Sequence, residues 1–133
     1  MIDDVFAFHK KFGLPLGDAD RLMNDDRAKE FRINFLQEEL DELREALGEG
    51  DRVKAFDALL DLAYVTYGTA LFLGIDPHQW HVGFRAVHSC NMRKKRVDHP
   101  EESKRDSAFD VVKPEGWVGP EATLKEVLQW YKL

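Results

Sequence analysis

Four carboxylates are spaced for work that a single acid cannot do. In QEELDELREAL (37–47), Glu39 and Glu42 lie three residues apart, and so about 60° apart around a helix. In AFDALLDLAYVTYGTALFLGI (55–75), Asp57 and Asp61 lie four apart on one helix face, with no cation inside the segment. That segment is nearly apolar all round, so most of it is expected to be buried. An unpaired buried carboxylate is costly or takes up a proton. Two partners suit Asp57 and Asp61: an arginine from a neighbouring helix, or a metal ion. If Glu39 and Glu42 face them across an antiparallel helix pair, the four acids cannot all stay ionised without cations. Ligation by oxygen alone suits Mg²⁺ or Mn²⁺, with the remaining positions taken by water and phosphate oxygens.

The elements that must position these acids are helical. Residues 3–12 read as a short amphipathic helix closed by Gly13 before Pro15, and 14–26 as a loop. From about Arg27 to Leu47, Ile33, Leu36, Leu40, Leu43 and Leu47 make a narrow apolar seam of the bundle type. Beside that seam, Phe31, Phe35, Glu39, Glu42 and Ala46 form a stripe mixing large apolar groups with acids. GEGD (48–51) breaks the helix, and Asp51 can cap the next, which runs from about Arg52 to Leu73. A further helix is expected from Pro77 to about Lys95. Residues 96–120, with three prolines and two glycines, read as a long irregular segment. A last helix is expected over 121–132, with Leu124, Val127, Leu128 and Tyr131 on its apolar side. No segment reads convincingly as a strand. The class is all-α, in a bundle of four main helices plus a C-terminal helix, and residues 1–133 form one domain.

Composition narrows the field. The chain has 133 residues, 44% hydrophobic and 33% charged, which is too apolar for disorder. A net charge of −6 argues against a general nucleic-acid binder. One cysteine, Cys90, excludes an internal disulfide framework and fits a reducing, cytoplasmic setting. The aspartates of the apolar segment and its lack of basic flanks argue against a membrane span. Charge is also distributed unevenly: Glu30 to Asp61 holds ten acids against four bases, whereas Arg85 to Lys113 holds eight of the 19 basic residues. An acidic segment followed by a basic one suits metal cations together with a polyanion, though solvated helix faces give the same pattern.

Read in order, E-E-x-x-E at 38–42, D-x-x-x-D at 57–61, LAYVTYGTALFLGID, Asn91-Met92-Arg93-Lys94 and VVKPEGW at 111–117 resemble the MazG-like all-α nucleoside triphosphate pyrophosphohydrolases. With FHKKFGLP at 8–15, the likeness is to their short, phage-type branch and spans nearly the whole chain. The resemblance implies hydrolysis of a nucleoside triphosphate to the monophosphate and pyrophosphate, assisted by two or three Mg²⁺ or Mn²⁺ ions. It assigns Glu39, Glu42 and Asp61 as metal ligands and Glu38 as the group activating water. Many relatives carry a further glutamate where this chain has Ala58, so Asp57 is the candidate replacement. Lys94, with Asn91, Lys95, Arg96 and Lys113, is expected to meet the phosphates. The 96–120 loop is a candidate lid. His9 lies where relatives contact the base, and Trp117 either stacks on the nucleotide or anchors its loop.

The long apolar helix and the resemblance both point to a homodimer or homotetramer, in the cytoplasm (the host's, for a phage protein), with no nucleic-acid or membrane partner. Guanine nucleotides, dGTP or GTP, are weakly favoured over dUTP, dCTP or damaged nucleotides. A phosphoribosyl-ATP or phosphomonoester hydrolase and a non-catalytic helical interaction module remain as other classes.

Overall fold

Glycine and aspartate set the helix boundaries that bring the acids together. In this computed structural model, which describes residues 1–17 and 19–130, α1 spans Ile2–Phe12, α2 Ala19–Asn24, α3 Asp26–Glu49, α4 Arg52–Phe72, α5 Pro77–Met92 and α6 Glu121–Leu128. Gly13 closes α1 at φ 64° and Gly50 closes α3 at φ 70°, backbone conformations that glycine adopts without a Cβ penalty. Asp25 caps α3 by accepting from the Ala28 N–H at 3.1 Å. Asp51 caps α4 by accepting from the N–H groups of Val53 and Lys54, each at 3.0 Å. The two-residue link between Glu49 and Arg52 therefore turns α3 back into α4, an αα-hairpin.

Packing divides the chain into two units, Met1–Trp80 and His81–Leu133. In the first, α3 packs along α4 and α1 packs on α4. Its interior holds Ile2 and Val5 of α1, Ala46 of α3, and Ala55, Ala58, Val65, Gly68, Ala70, Leu71 and Phe72 of α4. The small residues of α4 let its neighbours approach closely. The second unit begins within α5. Lys95–Arg96 (β1) pairs antiparallel with Val111–Val112 (β2), Lys95 opposite Val112. A 3₁₀ turn spans Pro100–Glu102. Cys90, Val97 and Val127 are buried there, and Gly83 gives the Leu124 side chain of α6 room to approach.

Several expectations are corrected. The 14–26 segment contains α2. The helix from Pro77 ends at Met92, so Lys94 lies beyond it. The irregular 96–120 segment carries the small β1–β2 ladder, which answers the backbone groups of Lys95 and Arg96. Tyr131 and the expected helix end at 132 lie outside the described residues. The largest correction concerns burial. Phe56 is 64% exposed, and Val53, Leu59 and Leu60 are exposed too, because α1 covers only the later turns of α4. The leucine seam of α3 also faces outward in good part, with Ile33 64% and Leu47 65% exposed. It is the neighbouring stripe that meets α4. No single helix among the described residues is long and apolar enough to cross a membrane.

Candidate active site

The acids of α3 and α4 converge in the first unit. Glu39 is half-buried on the stripe facing α4, and its Oε2 is sealed from solvent with no hydrogen-bond partner. Burial pushes its carboxyl above the usual range, and the charges of Glu42, Asp61, Glu38 and Asp57 push it further. The other four acids named from the sequence are thus near enough to act on Glu39. Asp57 and Asp61 are themselves exposed, contrary to the expectation that they are buried. The half-covered first turns of α4 leave them in water. No cation among the described residues pairs with Glu38, Glu39, Glu42, Asp57 or Asp61. Arg44 is taken by Asp41 at 2.6 Å and Lys54 by Glu49 at 2.9 Å.

The donor set fits a hard divalent ion: all oxygen, excess negative charge, and one buried oxygen left without a partner. As they stand, no three His, Cys, Asp or Glu side chains among the described residues are gathered at ligand distance. Glu42, Asp57 and Asp61 are exposed, and none of them is held by an ion pair among the described residues. Ala58 is buried. A carboxylate there would point into the helix interface, whereas Asp57 and Asp61 reach Glu39 from the rim.

Arg32, which the sequence reading did not single out, occupies the other end of the same stripe. It is only 7% exposed. Its Nε donates to Thr69 Oγ1 at 3.1 Å and its Nη2 to the Val65 carbonyl at 2.9 Å. Its guanidinium lies 4.7 Å from the Phe72 ring centre and within 5.6 Å of those of Phe31 and Phe35. No carboxylate among the described residues pairs with it, and burial lowers its pKa. The signal was available: Arg32 precedes Glu39 by seven residues, two helical turns on one face.

His9 is 2% exposed, with Nδ1 2.9 Å from the Pro15 carbonyl and its ring edge-on to Phe72. A carbonyl only accepts, so Nδ1 carries the proton. This geometry ties α1 to the segment after it. Phe8, Phe12 and Tyr64 form a partly exposed aromatic cluster nearby in the same unit.

The cationic candidates lie in the second unit. Lys94 Nζ and Lys113 Nζ sit 5.4 and 4.8 Å from the Trp117 ring centre. The Trp117 indole N–H donates to the Cys90 carbonyl at 2.8 Å, and Arg93 reaches the Val118 carbonyl at 3.2 Å. Trp117 therefore anchors the KPEGW loop to the end of α5. Asn91 is exposed, Lys95 approaches Asp98 at 3.5 Å, and Arg96 donates to the Ala108 carbonyl at 3.4 Å.

An all-α chain with a helix-borne carboxylate cluster is the class that the sequence resemblance describes. Comparison with protein families matches residues 5–89 to phosphoribosyl-ATP pyrophosphohydrolase. The chain belongs to that family, within the MazG-like all-α pyrophosphohydrolase superfamily, and is a pyrophosphohydrolase acting on nucleotides. The matched segment holds Glu38, Glu39, Glu42, Asp57, Asp61, Arg32 and His9, whereas Asn91 to Trp117 lie beyond it. No curated protein matches the chain.

Proposed function

We propose that this chain hydrolyses a nucleoside triphosphate to the monophosphate and pyrophosphate, with Mg²⁺ or Mn²⁺, two to three ions, held by Glu39, Glu42, Asp61 and Asp57. The observation that carries this reading is the sealed, unpartnered Glu39 Oε2 amid four other acids, with no cation paired to them among the described residues. A divalent ion bound there supplies Lewis acidity and lowers the pKa of bound water. Glu38, beside Glu39 and exposed, takes the proton of the attacking water in this reading, the role that the resemblance gives it. The assignment of Asn91, Lys94, Lys95, Arg96 and Lys113 to the phosphates rests on their charge and on the motif resemblance beyond the matched segment, and that of His9 and Trp117 to the nucleotide on the resemblance. Guanine nucleotides are favoured on the likeness to the phage-type branch. The name of the matched family supports a second reading, cleavage of phosphoribosyl-ATP.

The test is pyrophosphate release from a panel of ribo- and deoxyribonucleoside triphosphates and phosphoribosyl-ATP, with Mg²⁺ or Mn²⁺. Asp61→Asn is run alongside and is expected to lower turnover about a hundredfold or more, the worth of several kcal/mol of transition-state stabilisation. Turnover of phosphoribosyl-ATP alone selects the second reading. No turnover of any substrate, with a melting temperature indifferent to Mg²⁺, defeats both.

The outward apolar faces of α3 and α4 support a further part of this reading, assembly with a second copy of the chain as a homodimer or homotetramer. Ile33, Leu40 and Leu47 with Val53, Phe56 and Leu60 expose more large apolar surface than scattered singletons explain.

A further inference from the structure

A buried arginine such as Arg32, with no acid beside it among the described residues, is unusual, because a desolvated charge normally finds a counter-ion. Arg32 spends two of its five N–H donors, on Thr69 and Val65. Those bonds, with the Phe31, Phe35 and Phe72 rings around it, fix the guanidinium plane. Nη1 has no hydrogen-bond partner among the described residues. Arg32 as a whole keeps 7% of its surface exposed, so the side chain is not wholly sealed. Gly68 makes this placement possible, since a Cβ there would come within 2.8 Å of Arg32 Nη2 and 3.3 Å of His9 Nε2.

The position matters as much as the chemistry. Two turns of α3 separate Arg32 from Glu39, about 10 Å along the axis and nearly in line. One extended nucleotide spans that distance, with its phosphates at the acids and its base at Arg32. Phe31, 52% exposed and close to the guanidinium, offers an aromatic face for a planar ring. A phosphate at Arg32 would want further cations, and none of the side chains shown around the guanidinium carries one.

We propose that Arg32 is the base-reading residue, its free N–H fork donating to two adjacent acceptors on one edge of the base, as guanine presents with O6 and N7. Adenine sets an amino donor beside N7 and meets the fork with like dipoles. This rests on the nucleoside triphosphate reading above and adds its specificity determinant.

The experiment measures kcat and KM for dGTP, 7-deaza-dGTP and dATP with wild type, Arg32→Lys and Arg32→Met, each checked by thermal melting. Wild type is expected to prefer dGTP over both others by about tenfold or more, the scale of a bidentate base contact. In Arg32→Met the three substrates converge, chiefly through a higher KM for dGTP. Arg32→Lys recovers only part of the preference, because an ammonium cannot fork. A uniform fall across the three substrates shows a structural role and overturns the proposal. So does a wild type indifferent to loss of N7, a comparison that needs no variant to fold. If wild type cleaves no nucleoside triphosphate, the reading above fails and takes this proposal with it.

Discussion

Glu39 is the residue at which burial and charge work against each other most. Its Oε2 is out of water, its four acidic neighbours repel it, and no cation among the described residues relieves it. Glu39→Gln removes that repulsion. Without divalent ions its melting temperature is therefore expected to match or exceed that of wild type. The rise in melting temperature that Mg²⁺ gives the wild type is expected to disappear, with turnover down about a hundredfold or more. Calorimetric melts in EDTA and in Mg²⁺ check both halves. A variant that melts lower in EDTA would mean the carboxylate is structural. At the other end of the chain, Asp110 is an acid with every need met. It accepts from Ser103 Oγ at 2.6 Å, from the Val111 N–H and from Arg105, which together hold its pKa down to about 2. A depressed folded-state pKa gives stability that is present above the ordinary aspartate range and lost as pH falls toward 2. Asp110→Asn should therefore be less stable than wild type above about pH 4, with the gap closing on acidification. Denaturant unfolding at a series of pH values reads that gap, and a constant difference would contradict it.

At the scale of elements, α4 carries the site through its small residues. Gly68 lies seven residues after Asp61, so the acids and the Arg32 notch occupy successive turns of one helix. In a helix interior, alanine is ordinarily better than glycine by roughly 0.5–1 kcal/mol. Here the added methyl would displace a buried guanidinium held by two hydrogen bonds, and charged bonds of that kind contribute about 1.5–3 kcal/mol each. The second effect wins. Gly68→Ala is expected to destabilise by about 1–2 kcal/mol net, measured by urea unfolding, and a stabilised variant would show Arg32 free to move. Some helix ends were plain from residue types alone: Gly13, the GEGD break and Asp51 terminate or satisfy the backbone where local chemistry requires it, whereas the Asp25 cap lay inside a segment that reads as a loop. The β1–β2 ladder was not, because two-residue strands have no periodicity to read.

At the scale of the whole molecule, the unanswered feature is apolar surface. The periodicity of α3 shows a seam, but Ile33 and Leu47 of that seam point outward while Phe35, Glu39 and Ala46 turn toward α4. With a second copy covering these faces, Phe56→Glu places a charge in the contact and should give a monomer. Light scattering at several concentrations measures it, and a wild type that is monomeric throughout would dismiss the assembly. The same surface explains why most of α4 reads as buried from its sequence: hydropathy reports that a side chain avoids water, not which chain excludes it.

The sequence by itself determined the all-α class, the helix boundaries set by capping residues, and the acid pairs on α3 and α4, because spacing along a helix fixes angle around it. The family was legible there as well, from the order of its motifs. Only the tertiary structure decided that the acids gather at the rim of the helix pair, that Trp117 is tied to Cys90, and that Arg32 is buried without a counter-ion among the described residues. Those outcomes depend on which helix covers which turn. That depends on contacts between residues far apart in the chain, and local periodicity carries no record of them.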